Sequence, residues 1–213
     1  MALLSCFKQR LVWVPTLRGW IVLLLAGSAI AIATMLGLPG FLSPSESVGA
    51  RVLVVEGWIS DEALKDAAKH FRDGLYDRMV VTGWWINHAS YMSQARTFAE
   101  LAGERLRRDG FPEDKLIVLP SPEIIRDRTF TTTLAVKEWL KSQKDVHALD
   151  VFTSGAHGRR TRLLYQLSFG DECRIGIISN RAPERNWWKT SDGFREVTGE
   201  LIAYLYARLI FRP

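Results

Sequence analysis

The sequence predicts an α/β protein with a mainly parallel five-stranded sheet and one N-terminal transmembrane helix. Two observations support this prediction. Short runs that are apolar throughout alternate with longer segments of helical periodicity, which is typical of parallel strands buried on both faces. Near the N-terminus, a longer apolar segment contains no charged residue and has the length of a membrane-spanning helix.

The alternating part of the chain starts after residue 50. The predicted strands are residues 51–56, 78–82, 115–119, 149–153 and 174–179, and the predicted helices are 61–73, 90–108, 131–141, the segment from the fourth strand to 169, and 194–211. Ser60 is the expected N-cap of the first helix. Because connections between parallel strands are right-handed, we expect the strand order 3-2-1-4-5. The prediction is therefore a three-layer αβα, Rossmann-like domain.

The last predicted helix is strongly apolar. In residues 201–211 (LIAYLYARLIF), apolar side chains surround most of the helix. Such a pattern favours burial against the sheet, with an interfacial membrane anchor as the alternative.

The charge-free apolar segment covers residues 19–38. At about 1.5 Å per residue, a helix of this length spans the roughly 30 Å hydrocarbon core of a bilayer. Lys8, Arg10 and Arg18 precede it and no cation follows closely, so the positive-inside rule places the N-terminus in the cytoplasm. The expected organisation is a basic cytoplasmic N-terminus (1–18), the transmembrane helix (19–38), a linker (39–49) and an extracytoplasmic domain (50–213). A cleaved signal peptide, with processing near Ala31–Ala33, is the alternative.

Charge and motifs exclude several classes of function. Three of the 28 basic residues belong to the N-terminal end, which leaves 25 against 23 acidic residues in the rest of the chain. We expect no nucleic-acid partner, because such domains usually carry a widely distributed basic face. No P-loop and no Gly-x-Gly-x-x-Gly motif is present, and the histidines lack the spacing of metal ligands, so we expect no cofactor and no metal. Cys6 and Cys173 would lie on opposite sides of the membrane, so no internal disulfide is expected.

The segment 150–162 (DVFTSGAHGRRTR) has the most informative pattern in the chain. A β-branched apolar run stops at Ser154, and a basic segment with helical spacing begins one turn later. Backbone N–H groups and the helix dipole at such a turn favour an anion, and Ser154, His157 and Arg159 or Arg160 can add donors. In the expected strand order this turn lies at the topological switch point, between the first and fourth strands, where ligands of open α/β sheets bind.

These residues resemble a known family. The run TSGAHGRR is similar to the Thr-Ser-x-x-His-x-x-Arg motif that follows the fourth strand of SanA/ElyC/YdcF-like envelope proteins, and the resemblance covers about residues 50–210. In this motif the matching positions are Thr153, Ser154, His157 and Arg160, and weaker matches are Gly57, Thr82, Gly83, Thr129 and Glu200. The chain departs from the family at Thr132, where relatives often have Asn, and at Trp58, which replaces a second Gly and narrows the cleft.

The resemblance implies a location, a ligand class and a process. The protein would be a single-pass protein of the bacterial inner (plasma) membrane, held in the bilayer by its N-terminal helix, with a periplasmic Rossmann-like domain. The ligand would be an anionic lipid-linked or sugar-phosphate intermediate of cell-wall or polysaccharide biogenesis. Other envelope-biogenesis proteins are the expected protein partners.

The expected catalytic residues are His157 and Glu56. A helix N-terminus favours a neutral imidazole at His157 that acts as a general base or hydrogen-bond donor, although the same side chain can simply cap the helix. Glu56 ends a buried strand, where a carboxylate needs a partner. It would orient His157, act as an acid or base, ligate a metal, or pair with an arginine for structural reasons. The expected substrate-binding residues are Gly57, Trp58, Thr82, Gly83, Thr129, Thr132, Thr153, Ser154 and Arg160.

Two classes of function stay open at this point. The first is an enzyme that hydrolyses or transfers a phosphate-bearing lipid or glycan precursor, with Arg160 holding the phosphate and His157 as acid or base. The second is a non-catalytic binding or assembly factor for envelope or exopolysaccharide biogenesis. A carboxylate such as Glu56 within hydrogen-bond reach of His157 favours the enzyme, and a shallow pocket with His157 bonded to backbone favours the binding factor.

Overall fold

The apolar N-terminal segment forms helix α1, Leu17–Leu42. The computed structural model describes residues 12–86, 95–121, 127–143 and 145–213, and the chain divides into two compact units, Met1–Gly37 and Leu38–Pro213. Helix α1 is 26 residues long, and the mean hydropathy of its most apolar stretch is 2.4. By length and composition it can cross a membrane. It extends past the predicted 19–38 at both ends.

The second unit contains a six-stranded, mostly parallel sheet. Its strands are β1 (Ser45–Glu46), β2 (Val52–Glu56), β3 (Arg78–Gly83), β4 (Leu116–Pro120), β5 (Ala148–Ser154) and β6 (Arg174–Asn180), in the order β1-β6-β5-β2-β3-β4. The five longer strands are parallel and follow the predicted order 3-2-1-4-5. The predicted count of five is one too few, because β1 adds two residues to the edge of the sheet, antiparallel to β6. A strand this short has no recognisable pattern in the sequence.

In the part of the second unit that the structure describes, five α-helices connect or follow the strands. They are α2 (Asp61–Asp73), α3 (Phe98–Arg108), α4 (Arg128–Leu140), α5 (Gly158–Phe169) and α6 (Ser191–Leu209). Ser60 caps α2 as expected, because its side chain accepts a hydrogen bond from the Ala63 N–H. Thr97 and Glu100 form a capping box that starts α3 at Phe98. The predicted start of this helix near Ser90 lies outside the described residues.

Residues of the strands alternate between two apolar clusters. Leu53, Val55, Met79 and Val81 belong to a cluster that contains residues of α2 and α3, whereas Val52, Val54, Val80, Val151 and Ile177 belong to one that contains residues of α4 and α5. Because side chains of a strand point alternately to its two faces, the central strands are covered on both faces. This explains why β2 and β3 are buried at nearly every position.

The prediction that α6 is buried against the sheet is wrong. Among its residues only Val197, Glu200 and Ala207 are buried, while Ile202 and Leu209 are 68% and 67% exposed. The helix packs against α5, and residues of α4 and α5 already belong to the apolar cluster on that face of the sheet. One stripe of α6 is therefore buried, and the rest stays exposed.

The segment predicted as a linker, 39–49, is attached to the domain. Pro39–Leu42 is the last turn of α1, and Leu42 is fully buried. Ser43 donates a hydrogen bond from its hydroxyl to the Gly155 carbonyl at 2.8 Å.

Asp150, in β5, holds the end of this segment. Its carboxylate is fully buried and accepts hydrogen bonds from the Ser47 hydroxyl (2.6 Å), the Val48 N–H (2.8 Å), the Ala50 N–H (3.3 Å) and the Tyr76 hydroxyl (3.0 Å). A buried carboxylate needs such donors, and this one obtains three of the four from residues 100 or more positions away. Burial, followed by the charge of Asp150, raises the pKa of Tyr76 and keeps its hydroxyl a donor.

Replacing Asp150 tests whether it holds the segment. Asp150→Ala leaves the donors of residues 47–50 and of Tyr76 without their acceptor, so we expect the free energy of unfolding to fall by about 2–4 kcal/mol. Thermal or urea unfolding of the full chain in detergent micelles measures this. The matched control is Tyr76→Phe, which removes one of the four bonds and should cost about 1 kcal/mol. Equal costs for the two variants would show that Asp150 does not hold the segment.

Candidate functional site

A cavity of about 540 Å³ is lined by four of the predicted catalytic and substrate-binding residues: Trp58, Thr129, His157 and Arg160. It lies beside the carboxyl ends of the central strands, because Trp58 follows β2 and His157 follows β5. Its lining consists of Trp58, Trp84, Asp127, Arg128, Thr129, Phe130, His157, Arg160, Leu164, Glu200, Ala203, Tyr206, Ala207 and Phe211. Helix α6 and the residues after it supply five of these side chains, so the C-terminal end of the chain completes the cavity.

His157, Arg160 and Glu200 form the polar centre of the cavity. Arg160 donates to Glu200 through two parallel bonds, from Nε to Oε2 at 2.7 Å and from Nη2 to Oε1 at 3.0 Å. The Nδ1 atom of His157 lies 2.9 Å from Glu200 Oε1 and 2.9 Å from Arg160 Nη2. His157 and Arg160 are three residues apart near the start of α5, which places them on one side of the helix. The ring of His157 is therefore held through Nδ1.

Glu200 is an ionised carboxylate in this arrangement. Burial acts to raise its pKa, but hydrogen bonds and charges from His157 and Arg160 outweigh burial and lower it to about 2. The same ion pair outweighs the burial of Arg160 and raises the pKa of its guanidinium. Thr129 accepts one further bond from Arg160 Nη1 at 3.2 Å. Most of the donors of Arg160 are therefore used within the protein.

Glu56 lies beneath this cluster and does not hydrogen-bond His157. It is 2% exposed and accepts a hydrogen bond from the Thr153 hydroxyl at 2.5 Å and a weak one from Thr161 at 3.4 Å. Burial raises the pKa of Glu56, against the effect of the Thr153 bond and of the charges on His157 and Arg160. The carboxylate within reach of His157 is therefore Glu200. Glu56 is also absent from the lining of the cavity.

The helix N-terminus expected to bind an anion is occupied by an anion of the protein itself. Residues Gly155–His157 form one turn of 3-10 helix before α5. The N–H of Ala156 donates to the carboxylate of Glu196 at 2.8 Å. The Ser154 side chain makes no capping hydrogen bond, and Ser154 does not line the cavity. Gly155 has φ +64 beside this carboxylate, where a Cβ atom would collide with Glu196.

Two tryptophans form one wall of the cavity. The ring of Trp58 lies 4.4 Å from the ring of His157 and stacks on Trp84 at 6.4 Å. The guanidinium of Arg128 lies 5.0 Å from the centre of the Trp84 ring. Around Phe211, rings from α4 and α6 form an apolar part of the lining: Phe130 at 5.1 Å and Tyr206 at 6.4 Å. The cavity therefore combines aromatic and apolar surfaces with a charged centre.

The remaining predicted binding residues lie behind the cavity wall. A Cβ atom at Gly57 would lie 2.6 Å from the Phe98 carbonyl oxygen, and one at Gly83 would lie 2.7 Å from the Ala99 nitrogen. Both glycines therefore allow the strand ends to pack against the start of α3. Thr132 is buried and bonds the Thr129 carbonyl within its own helix. Thr82 is also buried, and its hydroxyl has no hydrogen-bond partner among the described residues.

Several residues of the site were missed or underrated by sequence reasoning. Glu200 was noted only as a weak family match, and Arg128, Tyr206 and Phe211 were not singled out. Arg128 begins α4 directly after Asp127, whose backbone is left-handed (φ 50), and that conformation cannot be read from the sequence. Glu200 lies 40 residues from Arg160, so no local pattern links the two.

Comparison with known proteins does not assign the chain to a family. No family model matches it, and no curated protein is significantly similar to it in sequence. The resemblance to the SanA/ElyC/YdcF-like proteins therefore rests on the residues of the motif. Within the described residues, no group of three or more His, Cys, Asp and Glu side chains has the arrangement of a metal site.

Glu200→Gln tests the electrostatics of the centre. The contribution of a carboxylate whose folded pKa is about 2, against an ordinary value of 4.5, is complete above pH 4.5 and is lost as the pH falls through 2. We expect the substitution to lower the free energy of unfolding by about 3 kcal/mol at pH 7 and by roughly half of that at pH 3.

Unfolding titrations of both proteins across this pH range measure the effect. The matched control is Glu138→Gln, which removes a carboxylate from an exposed pair with Lys141 and should cost less than about 1 kcal/mol. A Glu200→Gln cost that does not change with pH would contradict the assignment of an ionised, paired Glu200.

Proposed function

We propose that this protein is a membrane-anchored cell-envelope protein of the SanA/ElyC/YdcF-like type, with a three-layer αβα, Rossmann-like domain. In this proposal it binds a phosphate-bearing envelope intermediate in the cavity and hydrolyses its phosphate, or transfers it, in cell-wall or polysaccharide biogenesis. The observation that supports this best is the orientation of His157. Its Nδ1 lies 2.9 Å from the Glu200 carboxylate, which Arg160 holds in place, inside a cavity with aromatic walls.

His157 has the arrangement of a general base. With the proton on Nδ1 donated to Glu200, the other ring nitrogen, Nε2, is an acceptor, and it has no hydrogen-bond partner among the described side chains. Nε2 can take a proton from a water molecule that attacks phosphorus. As the new P–O bond forms, the bond to the leaving oxygen breaks, and the imidazolium returns its proton to that oxygen. Glu200 stabilises the imidazolium in between.

The ligand contacts follow from the groups that the protein leaves available. Arg128, beside Trp84, has no carboxylate partner among the described residues and lines the cavity, so it would contact the phosphate. Arg160 would contribute its remaining Nη1 proton. The stacked rings of Trp58 and Trp84 suit a sugar face, and the apolar lining around Phe211 suits a hydrocarbon chain. A sugar phosphate or a lipid-linked phosphate combines these features.

The location and partners complete the proposal. Helix α1 would anchor the protein in the inner (plasma) membrane of a bacterium, with the domain in the periplasm, where other envelope-biogenesis proteins would be its partners. The length and apolar composition of α1 support the anchor. The three basic residues before the apolar stretch support the orientation.

A non-catalytic binding factor is the second candidate, and one observation favours it. Two carboxylates of the protein, Glu200 and Glu196, already occupy the donors of Arg160 and the turn before α5. Enzymes that transfer phosphoryl groups usually surround the phosphate with several unpaired cations or a metal. A cavity with Arg128 as its main available cation suits recognition of an anion at least as well.

Binding and turnover can be measured separately on the full chain in detergent micelles. The probes are inorganic phosphate, glucose 1-phosphate and farnesyl diphosphate, with thermal shift for binding and phosphate release for turnover. We expect Arg128→Ala to weaken binding of the stabilising probe about tenfold, through the loss of one charge-assisted hydrogen bond. Arg72→Ala, a loss of the same charge on the exposed side of α2, should not change binding. Arg160→Ala is less informative, because it leaves the buried Glu200 without its arginine partner.

Measurements of phosphate release distinguish the enzyme from the non-catalytic binding factor. In an enzyme, His157→Gln abolishes phosphate release while binding remains within a few fold. Binding that depends on Arg128, without release by the unmodified protein, would identify the binding factor. No stabilisation by any of the three probes would refute a phosphate site in this cavity.

A further inference from the structure

Helix α6 borders a second depression, distinct from the cavity, that contains three arginines. We call it the arginine groove. It has a volume of about 270 Å³ and is lined by Pro44, Arg159, Arg162, Leu163, Gln166, Tyr204 and Arg208. None of these residues lines the cavity. The groove is therefore a separate surface, formed by α5, α6 and Pro44.

The arginine groove carries more positive charge than its carboxylates balance. Arg162 pairs with Glu46 at 2.6 Å, and its buried Nε has no hydrogen-bond partner among the described residues. Arg159 donates to the backbone carbonyl of Phe41, and its guanidinium lies 4.0 Å from the centre of the Phe41 ring. Neither Arg159 nor Arg208 has an ion pair within the described part of the chain. Three guanidinium groups with one carboxylate favour an anion.

Next to this groove, α6 exposes a row of apolar side chains. Ile202, Leu205 and Leu209 are spaced at i, i+3 and i+7, which places them on one side of the helix. They are 68%, 44% and 67% exposed, and Phe194, three turns before Leu205 on the same side, is 51% exposed. We call these four residues the outer face of α6. Exposed apolar side chains in a row usually mark a surface that contacts a partner or a membrane.

The covalent path of the chain indicates what covers this surface. Phe41 lies in the last turn of α1, and its ring packs edge to face on Tyr204 of α6 at 5.6 Å. The apolar stretch 19–38 ends only three residues before Phe41. If that stretch spans a bilayer, residues 39–44 belong to its headgroup region. The arginine groove contains Pro44 and contacts Phe41 through Arg159, so the same region must contain the groove.

We propose that the arginine groove binds the headgroup phosphate of anionic phospholipids while the outer face of α6 inserts among the upper acyl carbons. Apolar side chains on the outer face with arginines beside them are the arrangement of an interfacial helix, in which guanidinium groups reach the phosphates. The domain is then docked on the bilayer and not merely tethered to it. This proposal does not depend on the chemistry of the cavity, so either can fail without the other.

The test uses spin labels on the full chain in phosphatidylcholine vesicles with or without phosphatidylglycerol. The labels are attached at Leu205→Cys or, as the matched control, at Leu75→Cys, a leucine that is 84% exposed after α2. Cys6→Ser and Cys173→Ala remove the native thiols. In vesicles with phosphatidylglycerol, we expect the label at 205 to be accessible to oxygen and protected from a water-soluble nickel complex. The label at 75 should show the reverse.

Charge reversal tests the arginine groove. The label at position 205 reports the ratio of docked to undocked protein. We expect Arg208→Glu, or omission of phosphatidylglycerol, to lower this ratio about tenfold. Arg72→Glu, the same change on the exposed side of α2, should leave the ratio unchanged.

Three results would overturn the proposal. Equal exposure of the two labels to the nickel complex would show that the domain is not docked. If the label at position 205 inserts to the same extent in Arg208→Glu and in vesicles without phosphatidylglycerol, the groove does not recognise headgroups. Protection from both reagents, with spin–spin broadening that grows with protein density, would show that a second copy of the chain covers the outer face.

Discussion

A parallel sheet covered on both faces has room for polar groups mainly at the ends of its strands, and the polar features of this protein follow from that constraint. Near the amino end of β5, the buried Asp150 must find donors, and it binds the segment that leads from α1. At the carboxyl ends, Glu56 and Thr153 pair with each other beneath the cavity. The same strands therefore hold the N-terminal segment at one end and the candidate site at the other.

The candidate site contains several buried charges that partly neutralise one another. Arg160 and Glu200 neutralise each other, so the charge of each reduces the free-energy cost of burying the other. This pair orients His157, while Glu56 remains deeper, with a pKa that burial raises. The arrangement favours a precisely oriented imidazole over a strongly cationic pocket. Arg128, whose guanidinium lies over the ring of Trp84, would then be the main contact for an anion in the cavity.

Local sequence patterns were sufficient for some features of the site and not for others. The strand-turn-helix pattern around Ser154 placed His157 and Arg160 beside each other and near the switch point, because strand ends and helix starts are determined by neighbouring residues. Glu56 was one candidate to orient His157, but the carboxylate that contacts His157 is Glu200, because that contact depends on where α6 packs. The turn before α5 was predicted to hold a ligand and holds Glu196 instead. Both differences concern carboxylates about 40 residues away in the chain.

The sequence by itself determined the α/β class, the order of the five parallel strands, the apolar N-terminal helix and the segment that carries His157. Apolar runs, turn residues and the right-handed crossover rule are local or topological constraints, and they leave few alternatives. Only the tertiary structure decided that α6 packs on α5 and leaves its outer face exposed, that residues 39–49 bind the domain, and that Glu200 pairs with Arg160. These outcomes depend on which surface remains free after the sheet is covered, and that surface is formed by residues distant in the chain.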